Sequence, residues 1–172
     1  MPLKSIVKVS HISNLSDARY CSGMGVEMLG FSVVPGNEHY MAPAIFQDIR
    51  GWISGPKVIA ELYGIASLQD ISRIMEKYVP DYFELTWDEY NTFGKDLKLP
   101  CIVYVPGSAR QRTFAGANVS HVLVDAESTC VDISSVRLPV FIKITSLKKL
   151  EEKLSAGCFH GYVLEGPREL RP

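Results

Sequence analysis

The sequence lacks the features that mark several large protein classes. No apolar run among its 172 residues approaches the 18 residues of a membrane span. Near the N-terminus, Lys8, His11 and Asp17 interrupt any apolar core that a signal peptide would need. The net charge is −1, so the chain has no surplus of basic residues. We therefore expect neither a membrane nor a nucleic acid as a partner.

Cysteine is scarce and dispersed. The four cysteines, Cys21, Cys101, Cys130 and Cys158, form no C-x-x-C pair, so neither a zinc site nor a redox motif is indicated. We expect a reduced, cytoplasmic protein without a bound metal. The chain is 47% hydrophobic and 22% charged, which predicts one globular domain over residues 1–172.

Short apolar runs rich in β-branched residues alternate with helical or loop segments along the chain. Eight runs have strand length: 6–9, 28–34, 57–62, 82–86, 101–105, 119–124, 140–144 and 161–164. Asn14, Ser67 and Ser146 stand where helices between these runs would need an N-terminal cap. The alternation predicts an α/β fold, a small (β/α)8 TIM barrel. Periodicity leaves a doubly wound open sheet as the alternative.

Some helices of this barrel are expected to be reduced. The connections 107–118 and 127–138 are weakly periodic, which predicts short fifth and sixth helices. Only six residues follow Gly166, so the eighth helix is expected to be missing or very short. The strands that it would cover then need another partner. We predict a homodimer or a rearranged covering helix.

The opening segment carries a recognisable pattern. Its residues follow the frame K-[IV]-C-G-[IL]-T, then D-A, a helix and L-G-F; they are Lys8, Val9, Ser10, His11, Ile12, Ser13, Asp17, Ala18, Leu29, Gly30 and Phe31. In this frame the segment resembles the N-terminal βαβ unit of the phosphoribosylanthranilate isomerase family. The resemblance implies a TIM barrel, an Amadori isomerisation in tryptophan biosynthesis, a phosphosugar-like ligand and no cofactor.

The resemblance implies catalytic positions at the ends of the first and sixth strands. Asp125 falls on the general acid, although a carboxylate there is equally suited to cap the next loop. Ser10 replaces the Cys that acts as base, and an alkanol hydroxyl is too weak an acid to serve unaided. His11 replaces the following Gly and could act as base if it pointed inward. Neighbouring strand residues face opposite sides, which favours a loop role for His11.

The positions that the family uses to bind its substrate are also altered. His39 stands where the resemblance implies an Arg that meets the substrate carboxylate. The family's Q-L-H-G-[DN]-E after strand four reads Glu84-Leu85-Thr86-Trp87-Asp88-Glu89, which makes Glu84 and Thr86 candidate binding residues.

The phosphate site is the third altered feature. The family binds phosphate through glycines after strands seven and eight, and a further G-G-T-G after strand six is absent here. Lys143, Thr145, Ser146 and Gly166 are the candidates that remain. Capping of the seventh helix is the alternative role for Thr145 and Ser146.

Three functions fit this sequence. The first is an isomerase-like barrel that has diverged, with weak or no isomerase activity. The second is an active isomerase with an atypical base. The third is a different small-molecule enzyme, or a binding barrel without catalysis, that uses the cluster of Glu84, Asp125, Lys143 and Glu165. A Lys among carboxylates is more often part of an ion-pair network than a Schiff-base nucleophile.

Overall fold

Eight parallel strands close into a barrel in the computed structural model, which describes residues 5–107, 114 and 116–165. The strands pair in chain order, and the last pairs with the first to complete the ring. The predicted barrel is confirmed, and the alternative of an open sheet is wrong. The strands are β1 (Ile6–Ser10), β2 (Met28–Ser32), β3 (Lys57–Glu61), β4 (Tyr82–Thr86), β5 (Cys101–Val105), β6 (Val119–Val124), β7 (Val140–Ile144) and β8 (Gly161–Glu165).

Helices begin at the polar caps that the sequence predicts. Asn14 Oδ1 accepts a hydrogen bond from the Asp17 N–H at 2.9 Å, and Ser67 and Ser146 cap two later helices through their hydroxyls. Gly157, at φ 67°, supplies a left-handed stop that other residues rarely adopt. The helices are α1 (Leu15–Gly23), α2 (Pro43–Arg50), α3 (Leu68–Tyr78), α4 (Trp87–Phe93), α5 (Cys130–Ile133) and α6 (Leu147–Ala156); a 3-10 turn, Gly94–Asp96, follows α4.

The connection after β6 contains little helix. After β6 only α5, a single turn, is formed, as the weak periodicity predicts. The connection after β5 lies partly outside the described residues, and so does the segment from Gly166 onward, where an eighth helix was expected to be missing or short. Among the described helices, none has both the length and the apolar content to span a membrane.

The apolar core has two parts that together position the site. The outer part fills the space between strands and helices; there Phe46 of α2 packs edge-on against Phe31 of β2 with ring centroids 5.0 Å apart. The inner part fills the barrel interior below the C-terminal ends of the strands. Its buried members are Met28, Ile59, Ile102, Leu123, Phe141 and Val163. Polar side chains in the barrel interior therefore lie closer to the C-terminal ends of the strands.

One expectation about the cysteines is wrong. Cys130 in α5 and Cys158 after α6 form a disulfide, so this pair is oxidised in the structure, while Cys21 and Cys101 are free. The two cysteines are 28 residues apart in sequence, and spacing alone does not reveal a pairing of this kind. Packing brings them together, because α6 lies against the segment that leads into α5. Lys153 of α6 donates a hydrogen bond to the carbonyl of Ser128, two residues before α5, at 2.8 Å.

Candidate functional site

A buried ion network lies above the inner apolar layer. Lys8 is 0% exposed, and its Nζ lies 2.8 Å from Glu61 Oε1 and donates to Ser10 Oγ at 2.6 Å. Glu84 Oε2 lies 2.8 Å from the same Nζ, an ionic contact without hydrogen-bond alignment. Glu84 Oε1 accepts a hydrogen bond from Tyr63 Oη at 2.6 Å. One ammonium group is therefore shared by two carboxylates and a serine hydroxyl.

The network fixes the protonation of its members. Burial alone would lower the pKa of Lys8, but the charges of Glu61 and Glu84 outweigh it and raise that pKa. Burial alone would raise the pKa of Glu61, but attraction to Lys8 and hydrogen bonding to His11 hold that pKa well below its usual range. Burial and the Glu84 carboxylate raise the pKa of Tyr63 well above its usual value. Lys8 is consequently a cation, and Tyr63 is a hydrogen-bond donor.

Gly30 makes the network sterically possible. Lys8 lies on β1 and Glu61 on β3, so the two side chains meet across β2, which separates them in the sheet. A Cβ atom at Gly30 would overlap Glu61 Oε1 and would lie 3.0 Å from Lys8 Nζ. Only glycine leaves room for this contact.

His11 lies in the loop after β1, as the sequence favours, and its side chain turns towards the site. Strand β1 ends at Ser10, and His11 adopts a left-handed backbone with φ 57°, so the alternation of strand side chains stops there. His11 Nδ1 lies 3.0 Å from Glu61 Oε2 and 3.0 Å from Ser32 Oγ. Both Ser10 and His11 therefore line the same cavity.

This cavity, which we call the mouth cavity, opens at the C-terminal ends of the strands and has a volume of about 320 Å3. Five of the residues predicted from the sequence lie around it: Ser10, His11, Glu84, Thr86 and Lys143. The remaining lining residues are Tyr63, Tyr104, Leu123 and Val163. Its size is at the lower end for small-molecule sites.

Asp125 lies beside the mouth cavity rather than on its lining. Its Oδ1 accepts a hydrogen bond from Tyr104 Oη at 2.7 Å, and its Oδ2 accepts one from the Gly107 N–H at 3.2 Å. Both oxygens are thus occupied as acceptors. Asp125 therefore ties the end of β6 to Tyr104 of β5 and to Gly107.

The candidate phosphate ligands are not gathered at one point. Lys143 lines the mouth cavity and is paired with Glu165 at 2.7 Å. Thr145 and Ser146 line a separate open cleft beside α6, where Ser146 Oγ accepts the Lys149 N–H at 3.3 Å. Gly166 lies outside the described residues.

Two further candidates support their neighbours. His39 stacks on His11 with ring centroids 4.8 Å apart, so it contacts the site through that ring. Thr86 caps α4: it donates to Glu89 Oε2 at 2.8 Å and accepts from the Glu89 N–H. Within the described ranges, no three His, Cys, Asp or Glu side chains converge as metal ligands would.

Sequence reasoning gave Glu61 and Tyr63, at the C-terminal end of the third strand, no role in the site, and it treated Lys8 only as part of a motif. A usable signal was present, because Lys8, Glu61 and Glu84 are charged residues in strands whose other members are mostly apolar. Charged side chains are almost never fully buried unless they are paired. Three such residues on separate strands of one barrel therefore indicate a shared interior network.

Comparison with known proteins supports the resemblance seen in the sequence. No family model matches the chain. Over 105 residues it is 30% identical to N-(5'-phosphoribosyl)anthranilate isomerase of Saccharomyces kudriavzevii; the match covers 56% of this chain and 46%, less than half, of that relative. The predicted resemblance to this family is confirmed by that match and by the fold.

Solved structures extend the comparison over nearly the whole chain. Phosphoribosyl anthranilate isomerase from Thermotoga maritima is similar at a TM-score of 0.78 and 15% identity, covering 98% of this chain and 91% of that one. The enzyme from Thermus thermophilus gives a TM-score of 0.76 at 20% identity, with 97% and 90% covered. At these identities the similarity establishes the fold alone.

Proposed function

We propose that this relative of the phosphoribosylanthranilate isomerases has kept the barrel and has lost most or all of the isomerase activity. The observation that carries the proposal is the contact between Ser10 and Lys8. Ser10 stands where the resemblance implies the base, and its Oγ accepts a hydrogen bond from the Lys8 ammonium at 2.6 Å.

This contact leaves Ser10 without a group to activate it. A serine acts as a base or nucleophile only when a neighbour removes its proton. Lys8 cannot do so, because Glu61 and Glu84 raise its pKa and keep it protonated. Ser10 is therefore a hydrogen-bond acceptor within the ion network.

The position of the general acid supports the same conclusion. An acid must hold a proton and reach the reacting atom. Asp125 instead accepts hydrogen bonds at both oxygens, from Tyr104 and from the Gly107 backbone. Its carboxylate is used to fix structure.

Charge also opposes a phosphosugar in the mouth cavity. Among the described residues of this region, four carboxylates, those of Glu61, Glu84, Asp125 and Glu165, accompany the ammonium groups of Lys8 and Lys143. The surplus is anionic, and an anionic ligand would be repelled by it. We infer a ligand with little or no negative charge.

An active isomerase with an atypical base is the second candidate. The observation that favours it is the position of His11, which lines the mouth cavity and contacts Glu61 at 3.0 Å. A histidine held by a carboxylate is a competent base. For this candidate a phosphate would have to compete with Glu165, which is paired with Lys143 at 2.7 Å.

The two candidates are separated by activity. Purified wild-type protein is assayed with phosphoribosylanthranilate, and its gene is expressed in a tryptophan auxotroph that lacks this isomerase. We expect no growth without tryptophan and no turnover above that of an inactive control barrel. Sustained growth together with turnover by the purified protein would overturn the proposal in favour of the second candidate.

A further inference from the structure

We propose that His11 is the general base of the mouth cavity and that Glu61 positions it. The inference goes beyond the proposed function, because it concerns proton transfer from a ligand other than phosphoribosylanthranilate. It rests on the geometry of the pair and on the backbone that presents it.

The first step is the fixed orientation of the imidazole. Nδ1 of His11 lies 3.0 Å from Glu61 Oε2, and the Glu61 carboxylate is itself held through Oε1 by Lys8 at 2.8 Å. The backbone N–H of His11 also donates a hydrogen bond to Glu61 Oε2, at 3.3 Å. A carboxylate in this place keeps the proton on Nδ1. Nε2 is then the basic nitrogen, and it has no hydrogen-bond partner among the described residues.

The second step is the backbone. His11 is one of two residues other than glycine that have a positive φ within the described ranges, at 57°. A strained conformation of this kind persists only where the surroundings hold it, and such residues occur often at active sites. Here the conformation moves the ring from the outside of the barrel to the mouth cavity. His39 stacks on the ring with centroids 4.8 Å apart and limits its rotation.

The third step is the charge around the ring. Burial alone would lower the pKa of His11, and the Lys8 charge acts in the same direction. The hydrogen bond to Glu61 and the charges of Glu61 and Glu165 outweigh both and raise that pKa. His39, which stacks on the ring, is a further titratable group in contact with it. The result is an imidazole whose protonated form is stabilised, as a proton acceptor requires.

The proposed reaction is a proton abstraction from carbon. A C–H proton of the ligand moves to Nε2, and the bonding electron pair stays on the ligand, next to an electron-withdrawing group such as a carbonyl. Nδ1 keeps its own proton, and the resulting imidazolium is balanced by Glu61. The anionic surplus and the volume of about 320 Å3 indicate a small, uncharged carbon acid as the ligand.

The test uses a neutral carbon acid as a probe. In 5-nitrobenzisoxazole, the C3 proton moves to the base, the C–H electron pair forms the nitrile, and the ring N–O bond breaks with its electron pair on oxygen. The product is a coloured cyanonitrophenolate, and no oxidant, reductant or leaving group is needed. We expect the wild-type protein to accelerate this opening, and His11→Asn to lower the rate about 10²-fold. Asparagine suits this variant, because it tolerates a left-handed backbone.

Glu61→Gln tests the positioning role. Its rate is expected to fall, and the midpoint of its pH–rate profile is expected to move to lower pH, because Glu61 raises the pKa of His11. A purely structural role would leave that midpoint unchanged. His160→Asn is the matched control: His160 is exposed and precedes β8, at the opposite end of the barrel, and its rate should equal that of the wild type.

Each outcome decides the inference. Equal rates for wild type and His11→Asn, or no acceleration by folded wild-type protein, would overturn it. Near-UV circular dichroism identifies variants that fail to fold. If Glu61→Gln fails to fold, Ser32→Ala replaces it, because Ser32 makes the other hydrogen bond at His11 Nδ1. We expect Ser32→Ala to lower the rate of probe opening less than His11→Asn does. The isomerase assay on the same preparations is independent, so failure of the proposed function is seen separately.

Discussion

Replacement of Lys8 by methionine tests the ion network most directly. Methionine has a similar length and fills the same space, but it leaves the carboxylates of Glu61 and Glu84 without their shared cation. Glu61 is 0% exposed and Glu84 is 1% exposed, so water cannot replace the ammonium. The variant therefore isolates the charge of Lys8 from its volume.

The expected loss of stability is large. Removal of one partner from a buried ion pair costs about 3–5 kcal/mol, because the remaining charge is buried without compensation. Here two carboxylates lose the same partner, at 2.8 Å each, so the upper part of that range applies. A loss of about 4–5 kcal/mol would be a large share of the roughly 5–15 kcal/mol by which ordinary domains are stable.

Urea denaturation at neutral pH measures this loss. Lys57→Met is the matched control: Lys57 pairs with Asp81 at 3.0 Å on the surface, and we expect an unchanged midpoint because exposed pairs contribute little. A Lys8→Met protein with the same free energy of unfolding as the wild type would refute the reasoning. It would mean that the interior carboxylates do not depend on Lys8.

The contribution of Glu61 to the pH dependence of stability should reverse between the two proteins. In the wild type, the lowered pKa of Glu61 contributes stability above the unfolded value of about 4.3, and this stability is lost as the pH falls towards the folded value. The raised pKa of Lys8 contributes stability that is lost only as the pH rises above about 10.4. Without Lys8, Glu61 retains the burial that raises its pKa, so Lys8→Met should gain stability as the pH falls from 7 to 5.

Three further predictions concern other parts of the molecule. Reduction of Cys130–Cys158 should lower the free energy of unfolding by about 3 kcal/mol, since the bridge closes a long loop, and the double serine variant should not respond to reductant in urea titrations. Gly30→Ala should lose about 1–3 kcal/mol in the same assay, because the new methyl group overlaps Glu61; wild-type stability would contradict the proposed packing. Ser10→Cys should not restore growth of the tryptophan auxotroph, because the substrate-binding positions have changed as well; growth would show that only the base is missing.

Much of the fold follows from the sequence alone. The runs 82–86, 101–105, 119–124 and 140–144 coincide with strands β4 to β7. Proline or aspartate stands directly beside five of their eight ends, and such residues interrupt a strand. Helix boundaries are less well specified. Helix α2 ends at Arg50, and only a hydrogen-bonded turn through Trp52 follows, although the apolar residues continue to Ile53.

The site follows from the sequence only in part. The rule that parallel strands present their carboxyl ends at one face placed Ser10, Glu84 and Lys143 correctly around one cavity. The same rule could not show that Thr145 and Ser146 line a different cleft, because that depends on the path of the chain into α6. It also could not predict the disulfide, which depends on packing between α5 and the segment after α6.

The position of His11 shows why local rules fail at this site. Strand alternation predicts that it faces away from Ser10, and the rule holds up to the last residue of β1. The left-handed backbone at His11 then reverses the direction of its side chain. A hydrogen-bond partner on β3, fifty residues away, holds the ring in place, and no pattern within the opening segment specifies that partner.

The carboxylate of Glu61 connects our two proposals, the loss of isomerase activity and the role of His11 as a base. Through Oε1 it binds Lys8 and, together with Glu84, keeps that lysine charged, so the lysine cannot activate Ser10. Through Oε2 it holds His11, whose free nitrogen faces the same cavity in our proposal. A barrel with an uncharged residue in place of Glu61 would therefore differ in both respects: Lys8 would be held less firmly as a cation, and His11 would lose its orientation. For this reason the Glu61→Gln variant should change proton transfer in the mouth cavity even if the barrel stays folded.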